Sequence, residues 1–249
     1  MNIGFLGLGR MGLSLASSLK KREEHRLLAF DPAGTGDLTS TKDAAALEEA
    51  CDILFLCVKP DQLQDATRGL RGHKSYLSIL AGTSLAQVQS ALGKTDARSA
   101  RLMPNICASS SHSVNALFCP DPELRKILSD LLKPSGSVIF IEHEKDMHAV
   151  TALSGSGPAY VALFIQALAE GGVRSGLPYA TALSLARETV AGTAAHLGLT
   201  GEHPEVLRNQ VTSAGGTTIA GLLALEEGAV RAAIIQAVER ASRRSMELG

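Results

Sequence analysis

Between Met1 and about His143 the chain alternates short apolar runs with stretches whose apolar residues recur at helical spacing. The runs lie at residues 3–6, 26–30, 53–58, 76–80, 100–103, 114–118 and 138–141. Runs this short and rich in Ile, Leu, Val and Phe, separated by amphipathic segments, predict buried strands with crossover helices, hence a doubly wound α/β sheet. From about Glu144 the strand pattern stops. Long Ala- and Leu-rich stretches follow, punctuated by GSGP, GLP, GEHP and AGG, which predicts an all-helical second half. The expected organisation is a sheet domain over residues 1–143 and a helical domain over residues 144–249, with no Ser/Pro-rich linker between them. The final run, ALEEGAVRAAIIQAVERASRRSMEL, carries apolar residues at helical spacing opposite its charges and reads as a core or dimer helix.

The first strand runs directly into LGLGRMGLSLASSL, which places Gly7, Gly9 and Gly12 between a strand and a helix. In that context Gly7 permits a tight turn, Gly9 lets the backbone approach a pyrophosphate, and Gly12 lets helix and strand pack closely. The backbone of Leu8, Arg10 and Met11 belongs to the same cradle, and the helix start offers unpaired N–H groups to the phosphates. The sheet domain is therefore read as a Rossmann-like dinucleotide-binding domain. Asp31 closes the second strand, 19 residues past Gly12, where a carboxylate would bond the adenosine ribose hydroxyls. A carboxylate there repels a 2′-phosphate, and no Arg or Lys follows before Lys42, so of NADH and NADPH the local chemistry favours NADH. Val58, Lys59 and Pro60 end another buried strand at the carboxyl edge, where such folds bind ligands. Lys59 suits a cofactor or substrate contact and suits equally a solvated lysine before a helix-starting proline.

Composition narrows the partners. The chain has 249 residues, 45% hydrophobic and 20% charged, with formal net charge −1, which gives no electrostatic basis for nucleic acid or an acidic membrane surface. Four cysteines form no CxxC pair and read as free thiols in a reducing cytoplasm. No apolar run approaches the roughly 18 residues a membrane span needs, and the N-terminus enters a strand without a basic leader. His143 and His148 do not share a helix face, so no metal is expected.

A second glycine loop lies in TSAGGTTIAGLLALEEG. Gly215 and Gly216 precede Thr217, Thr218 and an apolar helical run, so its backbone N–H groups can converge on an anion. By itself it is also a capped helix–helix turn. Taken with TALSGSGPAYVALFIQALAEGGVRSGLP, GEHPEVLRNQV, FLCVKP and RLMPN, it closely resembles the pyrroline-5-carboxylate reductase family, in order and over essentially the whole chain. The resemblance implies a helical C-terminal domain that forms an intertwined homodimer, in some members assembled further into a ring of dimers. It also implies an active site at the dimer interface and reduction of 1-pyrroline-5-carboxylate to L-proline by NADH or NADPH. Ser213, Gly215, Gly216 and Thr217 would hold the substrate carboxylate, Thr218 would bond the ring nitrogen as the catalytic residue, and Asn105 would lie near the nicotinamide.

That assignment fits the chemistry. Hydride addition to an imine needs the nitrogen protonated or hydrogen-bonded and the ring held in place, with no nucleophile or strong base. The chain departs from the family at three places: Ile106 and Cys107 stand where Thr-Pro is usual, Arg10 where Asn is, and Ala214 where Pro is. The first departure keeps open a different cyclic imine acid as substrate, or a cofactor-binding homologue with altered catalysis. GLGRMG also suits the β-hydroxyacid dehydrogenases, but these use a lysine on the first long helix after the sheet, and no lysine follows Lys145.

Overall fold

A computed structural model describes residues 1–22 and 24–248. Contacts divide the chain into two compact units, one comprising Met1–Pro158 together with the chain from Val238 onward, the other Ala159–Ala237.

The first unit is built on an eight-stranded sheet: β1 Asn2–Leu6, β2 Arg26–Phe30, β3 Thr39–Ser40, β4 Ile53–Leu56, β5 Ser75–Ser78, β6 Ser99–Met103, β7 Ser113–Phe118 and β8 Gly136–Phe140. The order is β3-β2-β1-β4-β5-β6-β7-β8. Neighbours are parallel except that β7 runs antiparallel to β6. All seven apolar runs read from the sequence are strands. The additional β3 is two polar residues paired with Leu28 and Ala29, which carry no hydrophobic alternation to announce them.

Helices α1 Arg10–Leu19, α2 Ala44–Ala50, α3 Leu63–Ala66, α4 Leu85–Ala91 and α5 Pro122–Leu132 cover the sheet. One face buries Ile3, Phe5, Phe55 and Leu102 against Leu15 of α1 and Leu128 of α5. The other buries Leu54, Leu56 and Tyr76 against Leu47 of α2 and Val88 of α4. Burial on both faces explains why the strands read as continuous apolar runs. Side chains cap three of these helices: Asp43 accepts from Ala46 N at 2.7 Å, Ser84 from Gln87 N at 3.2 Å, and Asp121 from Leu124 N at 2.8 Å.

After β8 the chain turns helical through α6 Met147–Val150, a π-helical turn at Thr151–Gly155, and α7 Gly157–Arg174. Met147 packs with Met103 and Ala116, which keeps this part of the helical half in the first unit. The stretch Glu144–Arg174 contains an 18-residue window of mean hydropathy 1.3, long and apolar enough to cross a membrane by length and composition alone. The expectation that no apolar run approaches such a span concerns uninterrupted runs, and this stretch is not one. Its apolar residues are interleaved with Gly and Ser, so no uninterrupted run marks it in the sequence.

The second unit contains the rest of α7, then α8 Tyr179–Thr200, α9 Pro204–Gln210, α10 Thr217–Glu227 and the start of α11 Val230–Glu247. Its buried core among the described residues is small: Ala169, Ala182 and Ala186, with Ile165 and Leu183 against them. Leu163 is 72% exposed, and Phe164, Leu185, Leu223, Ile234 and Ile235 are exposed as well. Apolar surface on this scale marks an interaction face.

Candidate active site

β1 delivers the chain into the first glycine loop, where each glycine has a separate job. Gly7 has φ +88°, and a Cβ there would stand 3.0 Å from Val58 N and 3.1 Å from the Cys57 carbonyl carbon. At Gly12 a Cβ would meet Gly7 O at 2.9 Å and Cys57 Cβ at 3.2 Å. Gly9 is the opposite case: apart from its own residue and chain neighbours, nothing stands within 4 Å of a Cβ placed there, which leaves space for a ligand against the backbone. Gly9 is also the N-cap of α1, and no side chain caps the helix. Its O accepts from Leu13 N at 3.0 Å, so the N–H groups of Arg10, Met11 and Gly12 have no intrahelical partner. Cys57, which the sequence did not single out, floors this turn, and burial pushes its thiol pKa well up.

Asp31 does more than end β2. Its Oδ2 accepts from Leu8 N at 2.6 Å, and its Oδ1 accepts from Ala33 N at 2.8 Å. Val58 packs a methyl group at the Gly7 position, Lys59 is exposed, and Pro60 opens a short 3-10 turn, Pro60–Gln62, in which Lys59 N donates to Gln62 Oε1 at 3.4 Å.

Asn105 is buried at the end of β6, and its side chain is engaged within the protein. Its Oδ1 accepts from Cys107 N at 3.1 Å, capping the 3-10 turn Ile106–Ser110, while its Nδ2 donates to Ser154 O at 3.2 Å in the π-helical turn. Ser14 Oγ of α1 donates to Ile106 O at 3.4 Å, which holds this turn behind the glycine loop. Ile106 itself is 48% exposed. Nearby, Arg101 is buried in β6 and donates to Glu144 Oε1 at 3.0 Å, and the same oxygen accepts from Leu85 N at 2.6 Å. Burial lowers the Arg101 pKa. An arginine inside the apolar run of β6 was the sequence signal for this bond.

The second loop is built in the other unit. Thr212 closes α9 by donating to Arg208 O at 2.6 Å, and Gly216 N donates to Ser213 O at 3.1 Å, forming a tight turn. Gly215 occupies the left-handed region at φ +67°, and Gly216 is extended at φ −79°, ψ 175°. A Cβ at Gly216 would overlap the Ser213 hydroxyl. Gly216 is the N-cap of α10, again without a side-chain cap, so the N–H groups of Thr217, Thr218 and Ile219 have no intrahelical acceptor. Ser213, Ala214, Gly215 and Thr217 are exposed, and Gly216 and Thr218 are half-buried. The two glycine-capped helix starts therefore share one device, backbone donors with nothing of the protein's own to bond. Among the described residues no three His, Cys, Asp or Glu side chains gather as a metal would require.

Comparison with known proteins bears on both halves. Residues 144–248 match the family model for the pyrroline-5-carboxylate reductase dimerisation domain, and residues 2–82 match that for coenzyme F420-dependent NADP oxidoreductases. The chain is 38% identical to the pyrroline-5-carboxylate reductase of Synechocystis sp., over 100% of this chain and 98% of that protein. It is 34% identical to that of Escherichia coli, over 99% and 97%. Among solved structures, the Plasmodium falciparum pyrroline carboxylate reductase with NADP bound superposes with a TM-score of 0.92 at 28% identity, covering 100% of this chain and 98% of that one. The 1-pyrroline-5-carboxylate reductase of Streptococcus pyogenes gives 0.91 at 31%, covering 99% and 98%. With two glycine-capped helix starts and full-length relatives of this identity, the chain belongs to the pyrroline-5-carboxylate reductase family.

Proposed function

We propose that the protein reduces the C=N bond of 1-pyrroline-5-carboxylate to L-proline, the last step of proline biosynthesis. The observation that carries this reading is the uncapped start of α10, where Ser213 and free backbone N–H groups stand beside Thr218. A carboxylate suits such a helix start, which stabilises an anion through aligned N–H donors. With the carboxylate there, the Thr218 hydroxyl donates to the ring nitrogen and orients the proton that nitrogen gains as the carbon accepts a hydride. A hydroxyl serves here because the imine needs stabilisation of developing charge rather than a strong base.

The hydride comes from a reduced nicotinamide dinucleotide, and the residues at α1 fit that group: open space at Gly9, free N–H groups at Arg10, Met11 and Gly12, and a carboxylate at Asp31. The charge of Asp31 supports NADH over NADPH. Val58, Lys59, Pro60 and the Asn105 loop complete the proposed cofactor surroundings, with Asn105 shaping the loop through its bonds to Cys107 and Ser154. The functional division follows residues 1–143 and 144–249. The helical domain dimerises, and the exposed Leu163, Phe164, Ile234 and Ile235 supply apolar surface for a second copy rather than for lipid. A higher assembly of dimers would use the same domain. Four free cysteines fit a cytoplasmic location.

The test mixes purified protein with 1-pyrroline-5-carboxylate and NADH or NADPH and follows loss of reduced-cofactor absorbance. Turnover is expected with both, faster at low cofactor with NADH. No turnover with either, despite cofactor binding, would sink the enzyme reading. The exposed Ile106 gives one specific reason to run a six-membered cyclic imine acid beside the five-membered one.

A further inference from the structure

We propose that Asp31 is a positioning residue for the pyrophosphate loop, in addition to its contact with the cofactor's ribose. This rests on the dinucleotide reading of α1 given above. The geometry assigns the role: Oδ2 accepts from Leu8 N at 2.6 Å and Oδ1 from Ala33 N at 2.8 Å, so one half-buried carboxylate ties the glycine loop to the turn that follows β2. Gly7 N donates to Phe30 O at 2.9 Å immediately before it, extending the β1–β2 pairing into the loop. A charge-assisted bond of this length fixes the Leu8 peptide plane with its N–H toward β2. That N–H is therefore engaged by Asp31, and the phosphates are left the N–H groups of Arg10, Met11 and Gly12.

The consequence is that residue 31 cannot be exchanged for cofactor preference alone. Removing the carboxylate frees the Leu8 peptide, and a loop that must be ordered by the ligand binds it more weakly. Both cofactors lose affinity, whatever happens to their ratio.

A dideoxyadenosine diphosphate separates the two roles, because it carries the phosphates but neither ribose hydroxyl. Its dissociation constant is measured for the wild type, Asp31→Asn and Asp31→Ala, beside the ratio of kcat/KM for NADH and NADPH. The expected result is binding roughly five- to tenfold weaker in Asp31→Ala, the scale of one net hydrogen bond. Asp31→Asn should fall between, because its single oxygen can accept from only one of the two N–H groups. Amide hydrogen exchange at Leu8 in the free proteins should rise in the same order. Equal binding of the dideoxy probe by all three, within about twofold, overturns the proposal, as does unchanged Leu8 exchange. A weakened probe with an unmoved NADH to NADPH ratio upholds the positioning role and removes the charge-based account of cofactor preference.

Discussion

Gly216→Ala is a sharp test of the carboxylate cradle, because the structure separates its effect on function from its effect on folding. At φ −79° and ψ 175° the backbone of residue 216 suits alanine as well as glycine, so no backbone strain is introduced. The added methyl group instead overlaps the Ser213 hydroxyl. That hydroxyl is the end of a short, exposed side chain and can rotate away, at a cost of about 0.5–1.5 kcal/mol if it leaves its preferred rotamer. The loss of unfolded-state entropy on replacing glycine offsets about 0.4–1 kcal/mol of this, so Tm should scarcely change. The substrate carboxylate, however, loses one hydrogen bond, worth about 1.5–3 kcal/mol to a charged acceptor. At 1.36 kcal/mol per factor of ten, kcat/KM for 1-pyrroline-5-carboxylate should fall roughly 10- to 150-fold. The assay is steady-state oxidation of reduced cofactor by the wild type, Gly216→Ala, Ser213→Ala and the double variant. If the methyl group acts by displacing Ser213, the double variant stays within about twofold of Ser213→Ala. Losses that multiply, or a Gly216→Ala enzyme as active as the wild type, would refute the reasoning.

Other outcomes follow from the same geometry. Thr218→Ala should lower kcat by about tenfold or more while cofactor affinity, measured by direct binding, stays unchanged. Asp31→Ser should move the ratio of kcat/KM values toward NADPH, with an absolute loss for both cofactors. Burial raises the Cys51 pKa to about 12. An unfolded thiol loses its proton from about pH 8.5 upward, so the native state holds the extra proton between there and about 12. Cys51 should therefore reduce stability as pH rises through that window, visible as a falling Tm, and native alkylation at pH 8 should label the partly exposed Cys107 before it. Arg98 holds the Asp121 carboxyl well below the usual carboxylate range. The stability from that pair is fully present above the unfolded carboxylate pKa and is lost as pH falls below it, so Arg98→Ala should reduce stability at neutral pH and flatten the acid limb of a Tm–pH curve.

Much of the sheet was legible because both of its faces are buried, which forces apolar runs at β1, β2 and β4 to β7, while the edge strand β8 leaves Ile139 and Phe140 exposed. What the runs do not encode is direction: β7 has the same apolar character as the strands that pair in parallel, and its antiparallel pairing with β6 comes from a short connection, the 3-10 turn after Asn105. The change from strand to helix at residue 144 was visible as a change of period, but packing does not change there. Met147 still contacts Met103 and Ala116, and His148 Nδ1 lies 3.1 Å from Ser245 Oγ, a contact between residues 97 apart in sequence. The glycine loops were legible because φ above zero at Gly7 and Gly215 and close backbone approach at Gly12 disfavour other residues, whereas Gly216 has chiefly the movable Ser213 hydroxyl against it. Side-chain bonds within the loops were not. Nothing in the order of residues says that Asp31 holds Leu8 N–H, or that Asn105 divides its amide between Cys107 and Ser154.

The central claim is that the chain delivers a hydride to the imine carbon of a ring whose carboxylate sits at the start of α10. It is tested most directly with reduced cofactor deuterated at its transferring carbon, incubated with 1-pyrroline-5-carboxylate and the wild-type protein, followed by NMR and mass analysis of the product. The prediction is L-proline with one deuterium on the former imine carbon, formed in step with cofactor oxidation and much more slowly by Thr218→Ala. Cofactor oxidation without labelled proline, or no oxidation by a protein that binds both cofactors, would contradict it.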